Sequence, residues 1–239
     1  MYAAISKRKL PLFKTLFASL GLVAAANVLA APAAGDNAHP SIRAMSGAQQ
    51  IDRLDPRSTA LVVIDFQNEY FSGRMPIADG IPAMNNAREL IKFADRAKIP
   101  VFQVQHVAPA GSAVFALDGE GVKFHPLMQP RAHDKVLQKT SVSVFASTDL
   151  DQQLKQAGIK TLIFAGLMTH ACVAGGARDA APLGYQVVVA SDASATRAIT
   201  RLNGDTIDKD SLHRAALAEI EDTFGDVMTT AQIVRLPLK

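Results

Sequence analysis

The chain has 239 residues, with 25 Lys and Arg against 22 Asp and Glu, a formal net charge of +3. Four of the basic residues, Lys7, Arg8, Lys9 and Lys14, fall in the first 30 positions, which hold no acid, so the remainder carries 21 against 22 and a net of −1. That balance removes the electrostatic case for a nucleic-acid partner, and a single cysteine excludes an internal disulfide.

Residues 1–30 read as a secretory signal peptide: a basic start, an apolar stretch from Leu16 to Ala26, and Val28-Leu29-Ala30 placed like a cleavage site. The expected location is therefore periplasmic or secreted, with no stable membrane partner after cleavage. An uncleaved anchor is the alternative, although the apolar stretch is short for a span. Lys7-Arg8 also fits a degenerate twin-arginine signal. Residues 31–57, rich in Ala, Gly, Asn, Pro and Ser, read as an N-terminal tether with little packing power. One domain follows over 58–239.

Within it, apolar runs alternate with amphipathic stretches. Ala60 to Ile64 is short, continuous and β-branched, as a strand buried on both faces requires. Ile81 to Lys98 has helical spacing, Val101 to Gln105 is a second strand, and Lys135 to Gln138 a third. Thr148-Asp-Leu-Asp151 starts a helix in the manner of a capping box, and Gly158 ends it. Thr161 to Ala165 is a fourth strand, His170 to Leu183 a helix closed by Gly184, and Gln186 to Ala190 a fifth strand. Ser211 to Asp222 is a helix, and Asp226 to Thr229 a final edge strand. This alternation predicts an α/β fold in three αβα layers, its parallel sheet joined by right-handed crossovers. The loop from Pro109 to Pro130 is longer than a connection needs and has the character of a lid.

Three strand ends each offer one reactive group. The first ends in Asp65, the third leads to Lys139, and the fourth leads to Cys172 through Gly166-Leu-Met-Thr-His-Ala-Cys172. Ligands of open parallel sheets bind outside the carboxyl ends of the strands, near the point where strand order reverses. A thiol at a helix start also feels the positive end of the helix dipole, which favours thiolate and easy alkylation below pH 8. Taken singly, Cys172 could be a buried hydrophobe, Asp65 a loop cap and Lys139 a solvated charge. Their convergence on one sheet edge favours chemistry.

With those residues in hand, the chain resembles the isochorismatase-like cysteine hydrolases, among them nicotinamidases, N-carbamoylsarcosine amidases and ureidoacrylate amidohydrolases. The resemblance runs from about Ser58 to Thr230 and rests on Asp65-Phe-Gln-Asn68, the Lys139 segment, the Gly166 to Cys172 motif, and Ala177-Arg-Asp-Ala180 before Gly184-Tyr185. It implies a six-stranded sheet in the order 3-2-1-4-5-6 and a triad of Cys172, Asp65 and Lys139. It also implies a cis Leu167–Met168 peptide, with the backbone N–H groups of Met168 and Cys172 forming an oxyanion hole. The expected reaction is hydrolysis of a small amide-like substrate through a thioester. Gln67, Tyr70, His106, Phe145 and Met168 are the expected substrate-binding residues, with Tyr70 where nicotinamidases place an aromatic ring. A homo-oligomer is expected.

Nicotinamidases carry a metal-binding D-x-H after the second strand. Here the segment is Val104-Gln-His-Val107, so no metal and no cofactor are expected. His106 then lines or orients the pocket, or is merely structural. Gly175-Gly176 suggest a close approach by another helix, a subunit or the ligand, the first being preferred. No G-x-S-x-G, Walker A or G-x-G-x-x-G motif is present. The competing readings are a vinyl-ether hydrolase of isochorismate type, which needs no thiol, and a ligand-binding oligomer without turnover.

Overall fold

The structure, a computed structural model, describes residues 39–239; the signal-peptide reading of residues 1–30 lies outside them. Six strands form one parallel sheet: β1 (Thr59–Ile64), β2 (Val101–His106), β3 (Lys135–Lys139), β4 (Thr161–Leu167), β5 (Gln186–Ala195) and a short edge strand after the last long helix. Between them lie α1 (Ile42–Met45), α2 (Gly80–Ala97), α3 (Leu150–Gln156), α4 (Ala174–Ala180) and α5 (Lys209–Glu219). A two-stranded hairpin of β6 (Ile199–Thr200) and β7 (Thr206–Ile207) precedes α5; the edge strand is β8 (Asp226–Met228), followed by α6 (Thr230–Ile233). The sheet order is β3-β2-β1-β4-β5-β8. Counted by sheet strands, this is the expected 3-2-1-4-5-6.

Every residue of β1 and β4 is buried, as strands covered by helices on both faces must be. On one face α2 presents Ala83, Ala87, Leu90 and Ala94, at the three- and four-residue spacing of a single stripe, to Val63, Ala165 and Val188. On the other, Leu150 and Leu154 of α3 and Ala174 and Ala177 of α4 cover Val62, Ile64 and Phe164.

Strand order reverses between β1 and β4, which pair from Thr59↔Thr161 to Ile64↔Gly166. Gly166 is the close-contact point. Its φ is +148, and a Cβ there would lie 2.3 Å from the Ile64 carbonyl oxygen. Any side chain would force the two strand ends apart, and those ends carry Asp65 and the Cys172 turn.

Some local readings need correction. The segment taken as a tether is, from Ile42 on, clipped to the domain. Arg43 pairs with Asp226 at 2.7 Å, the Ile51 N–H donates to Asp226 Oδ2 at 2.8 Å, and Leu54 is buried while its backbone bonds to Pro237 and Lys239. Composition misled because one leucine and a few backbone bonds anchor an otherwise polar stretch. The expected helix from His170 opens instead as a π-turn, Thr169–Val173, and α4 proper ends at Ala180. Asp151 does not close a capping box, because it accepts from Lys155 at 2.7 Å and the Tyr185 hydroxyl at 2.8 Å. The hairpin of β6 and β7 was not foreseen.

Candidate active site

β3 lies in register with β2 so that Lys139 is the neighbour of His106. β1 ends one residue before Asp65, whose backbone turns into the left-handed region at φ +54, a conformation aspartate tolerates better than most residues. The turn after β4 delivers Cys172 to the same edge. These placements bring Lys139 Nζ to 2.8 Å from Asp65 Oδ2, 3.3 Å from Cys172 Sγ and 2.8 Å from His106 Nδ1. The ammonium also donates to the Ser141 carbonyl at 3.2 Å. Asp65 and Lys139 have no exposed surface, and Cys172 is 5% exposed. The Asp65 carboxylate oxygens have no well-directed hydrogen bond among the described residues, so the Lys139 charge is their compensation.

Burial pushes the Asp65 carboxyl above its ordinary value, and Lys139 acts against that rise. Cys172 is pushed up to about 12, by burial first and by the Asp65 charge second, with Lys139 pulling the other way. The expected low-pKa thiolate is thus corrected. A helix-end dipole counts for little beside the desolvation of a buried sulfur. Iodoacetamide is accordingly expected to alkylate Cys172 slowly at pH 7, with a rate that climbs through pH 10 without levelling. A plateau below pH 8 would contradict this account.

Because an ammonium can only donate, His106 Nδ1 accepts from Lys139 and the ring proton sits on Nε2. Burial, then the Lys139 charge, lowers His106 to about 4, so it is neutral at pH 7. His106 therefore orients the lysine. Asp65, His106 and Cys172 also form a group whose ligating atoms all lie within 4.8 Å of one another. Lys139 Nζ stands within 3.3 Å of all three residues, so this donor set already surrounds a cation and does not fit a metal ion as well.

The substrate-binding expectations divide. Tyr70 is buried, and its phenol is pushed up by burial and then by the charges of Cys172 and Asp65. Its ring stands edge-on to Phe115 at 5.3 Å, and Phe115 lies 4.9 Å from the His106 ring. Phe115 went unrecognised in the sequence. It belongs to the loop 109–130, which is tied onto the segment after β1 by Asn68 N–H to the Lys123 carbonyl and Glu69 N–H to the Gly121 carbonyl, both 2.9 Å.

Gln67 is not available to substrate. Its Nε2 donates to the carbonyls of His106 and Val122, and its Oε1 accepts from the His106 N–H. It clamps the loop to β2. Phe145 stacks on Tyr185, ring centroids 6.2 Å apart, and packs with the α3/α4 core. Met168 follows a cis peptide to Leu167 and is nearly buried. Gly175 abuts Val142 and Ser143, and Gly176 abuts Phe164, so the glycine pair serves close packing of α4. Arg197, also passed over in the sequence, has a buried Nε with no partner among the described residues, and its charge reaches Tyr70 and His170.

Residues 59–232 match the Isochorismatase domain family model. The chain belongs to the isochorismatase family. It is 32% identical over 180 residues to the isochorismatase family protein YddQ of Bacillus subtilis, covering 74% of this chain and 99% of that one. It is 26% identical to the ureidoacrylate amidohydrolase RutB of Acinetobacter baylyi, over 80% of this chain and 89% of that protein. Among solved structures, a putative isochorismatase from Burkholderia xenovorans LB400 superposes with a TM-score of 0.72 at 34% identity, covering 76% of this chain and 87% of that one. The protein is an isochorismatase-family hydrolase.

Proposed function

We propose that this isochorismatase-family protein hydrolyses a C–N bond of a small amide or ureido compound through a thioester on Cys172. The observation that carries the reading is the buried trio itself, in which Lys139 stands within 3.3 Å of both the thiol sulfur and the carboxylate. Moving the thiol proton to Asp65 exchanges a Lys⁺–Asp⁻ pair for a Lys⁺–thiolate pair. The net charge of the buried site does not change. The cost of proton transfer is then confined to the difference between two pairings, and the raised carboxyl narrows that difference.

In this reading Asp65 takes the proton as sulfur bonds to the carbonyl carbon, and the oxyanion is received by the N–H groups of Met168 and Cys172. Collapse of the adduct breaks the C–N bond, and Asp65 returns the proton to the departing nitrogen. Asp65 then takes a proton from water as it attacks the thioester, and sulfur leaves and is reprotonated. Tyr70, Phe115 and His106 form an aromatic series that reaches Lys139 and suits a small planar group. The relative named ureidoacrylate amidohydrolase supports this bond class. A vinyl-ether hydrolysis would leave Cys172 without a task, and a ligand-binding role would leave the buried charge pair without one.

A panel of small primary amides and ureido acids, read by release of ammonia or amine, tests the reading. Turnover is expected with at least one member, to vanish in Cys172→Ala, and to survive dialysis against EDTA unchanged. Activity lost with EDTA and restored by one metal ion would contradict the metal-free chemistry.

A further inference from the structure

The turn that carries Cys172 is fastened from behind by groups with no part in the chemistry above. Thr169, fully buried, places Oγ1 2.9 Å from Nδ1 of His213 on α5. His213 is held below the ordinary histidine value mainly by burial; Asp210, Asp79 and a hydrogen bond to the Ser191 backbone act the other way, and Lys209 acts with burial. The hydroxyl and the imidazole are thus bonded to each other across the turn. The next residue, His170, sets its own Nδ1 2.6 Å from Oγ1 of the buried Thr196, just beyond β5.

His213 is not tightly packed on every side. A cavity of about 200 Å³ opens beside it, lined also by Ser194, Thr196, Lys209 and Asp79. Ser194 Oγ is buried there with no partner among the described residues. β5 bulges at the same place, since its step from Val189 to Ser194 is matched by only Phe164 to Gly166 on β4. Bulges of this kind re-aim a strand end and recur beside active sites.

The thiol has a different partner, Lys139 at 3.3 Å. Two functions are thus held by two separate anchorages. Lys139 locates the sulfur, whereas the start of the turn, which carries the Met168 N–H just before Thr169 and the Cys172 N–H three residues after it, is located by Thr169 and His213.

We propose that Thr169 and His213 are a positioning pair that keeps the Met168 and Cys172 N–H groups aimed at the oxyanion. The proposal rests on the thioester reading. Its test uses the full chain and two reagents. Acylation by p-nitrophenyl acetate, with the Cys172→Ala rate subtracted, needs the oxyanion donors. Alkylation by iodoacetamide needs only the sulfur.

His213→Ala and Thr169→Val are each expected to slow acylation about 10- to 100-fold, short of the 10²–10³ seen when a donor is removed outright, while alkylation changes less than about twofold. His213→Asn, which sets an amide oxygen near the place of Nδ1, should keep most of the acylation rate. Added imidazole should restore part of it in His213→Ala but not in Thr169→Val. The double variant should be no slower than either single one, as residues acting as a unit are not additive. Acylation and alkylation falling together in all variants would mean a collapsed turn and would overturn the proposal, as would acylation unchanged in both single variants. A wild-type protein that p-nitrophenyl acetate never acylates at Cys172 would overturn the thioester reading itself, and this pair's role with it.

Discussion

Asp65→Asn is expected to lower amide turnover by about 10²–10⁴-fold, the usual worth of a positioned general base, while making Cys172 react faster with iodoacetamide. The two effects have opposite signs because the carboxylate has opposite effects on them. Its charge is the second-largest cause holding the thiol up, after burial, so a neutral amide in its place lets the thiolate form more readily. Turnover still falls, since no group remains to carry the proton from sulfur to the leaving nitrogen. Parallel measurement of amine release and alkylation rate checks this. A variant that loses both together would indicate that Asp65 serves the fold rather than the proton.

Lys139→Met keeps most of the side-chain volume and removes the charge. Breaking a buried pair on one side typically costs about 3–5 kcal/mol, and for a domain of this size that corresponds to a melting temperature lower by on the order of 10 °C. The sign with pH is fixed. With Lys139 gone, the folded Asp65 carboxyl rises further above its unfolded value. Folding then favours the protonated form, and stability is present at low pH and lost as pH rises through the folded value. Melting curves should therefore show a wild-type-to-variant gap that widens from pH 5 to pH 8. A gap constant across that range would mean that Asp65 is not left charged and unpaired. The same variant should raise the Cys172 thiol further, because Lys139 is the charge that opposes its elevation.

The parts legible in the sequence were those that local pattern encodes. The β-branched run Ala60 to Ile64 and the helical stripe of α2 follow from burial on two faces and on one. The ends of three such strands located Asp65, Lys139 and Cys172 before any geometry was available. What local pattern does not encode is the partner across the fold. Gln67 lies in a motif that reads as substrate-facing, yet its amide is saturated by the backbone of His106 and Val122. Phe145 is claimed by Tyr185, forty residues away in sequence. Phe115 reaches the site from a loop position with φ +55 that no periodicity marks, and His213 reaches the Cys172 turn from a different helix altogether. The ionisation of Cys172 was misjudged for a related reason. The helix start is visible in the sequence, whereas the desolvation that outweighs it comes from side chains gathered by the whole sheet edge.

The central claim is that Cys172 becomes covalently acylated during turnover. Intact-mass spectrometry on protein quenched in acid during incubation with pooled small amides reads this directly. The predicted result is an added acyl mass that maps to Cys172 and is absent from Cys172→Ala. Amide turnover persisting in Cys172→Ala, with no adduct on the wild-type thiol, would contradict it.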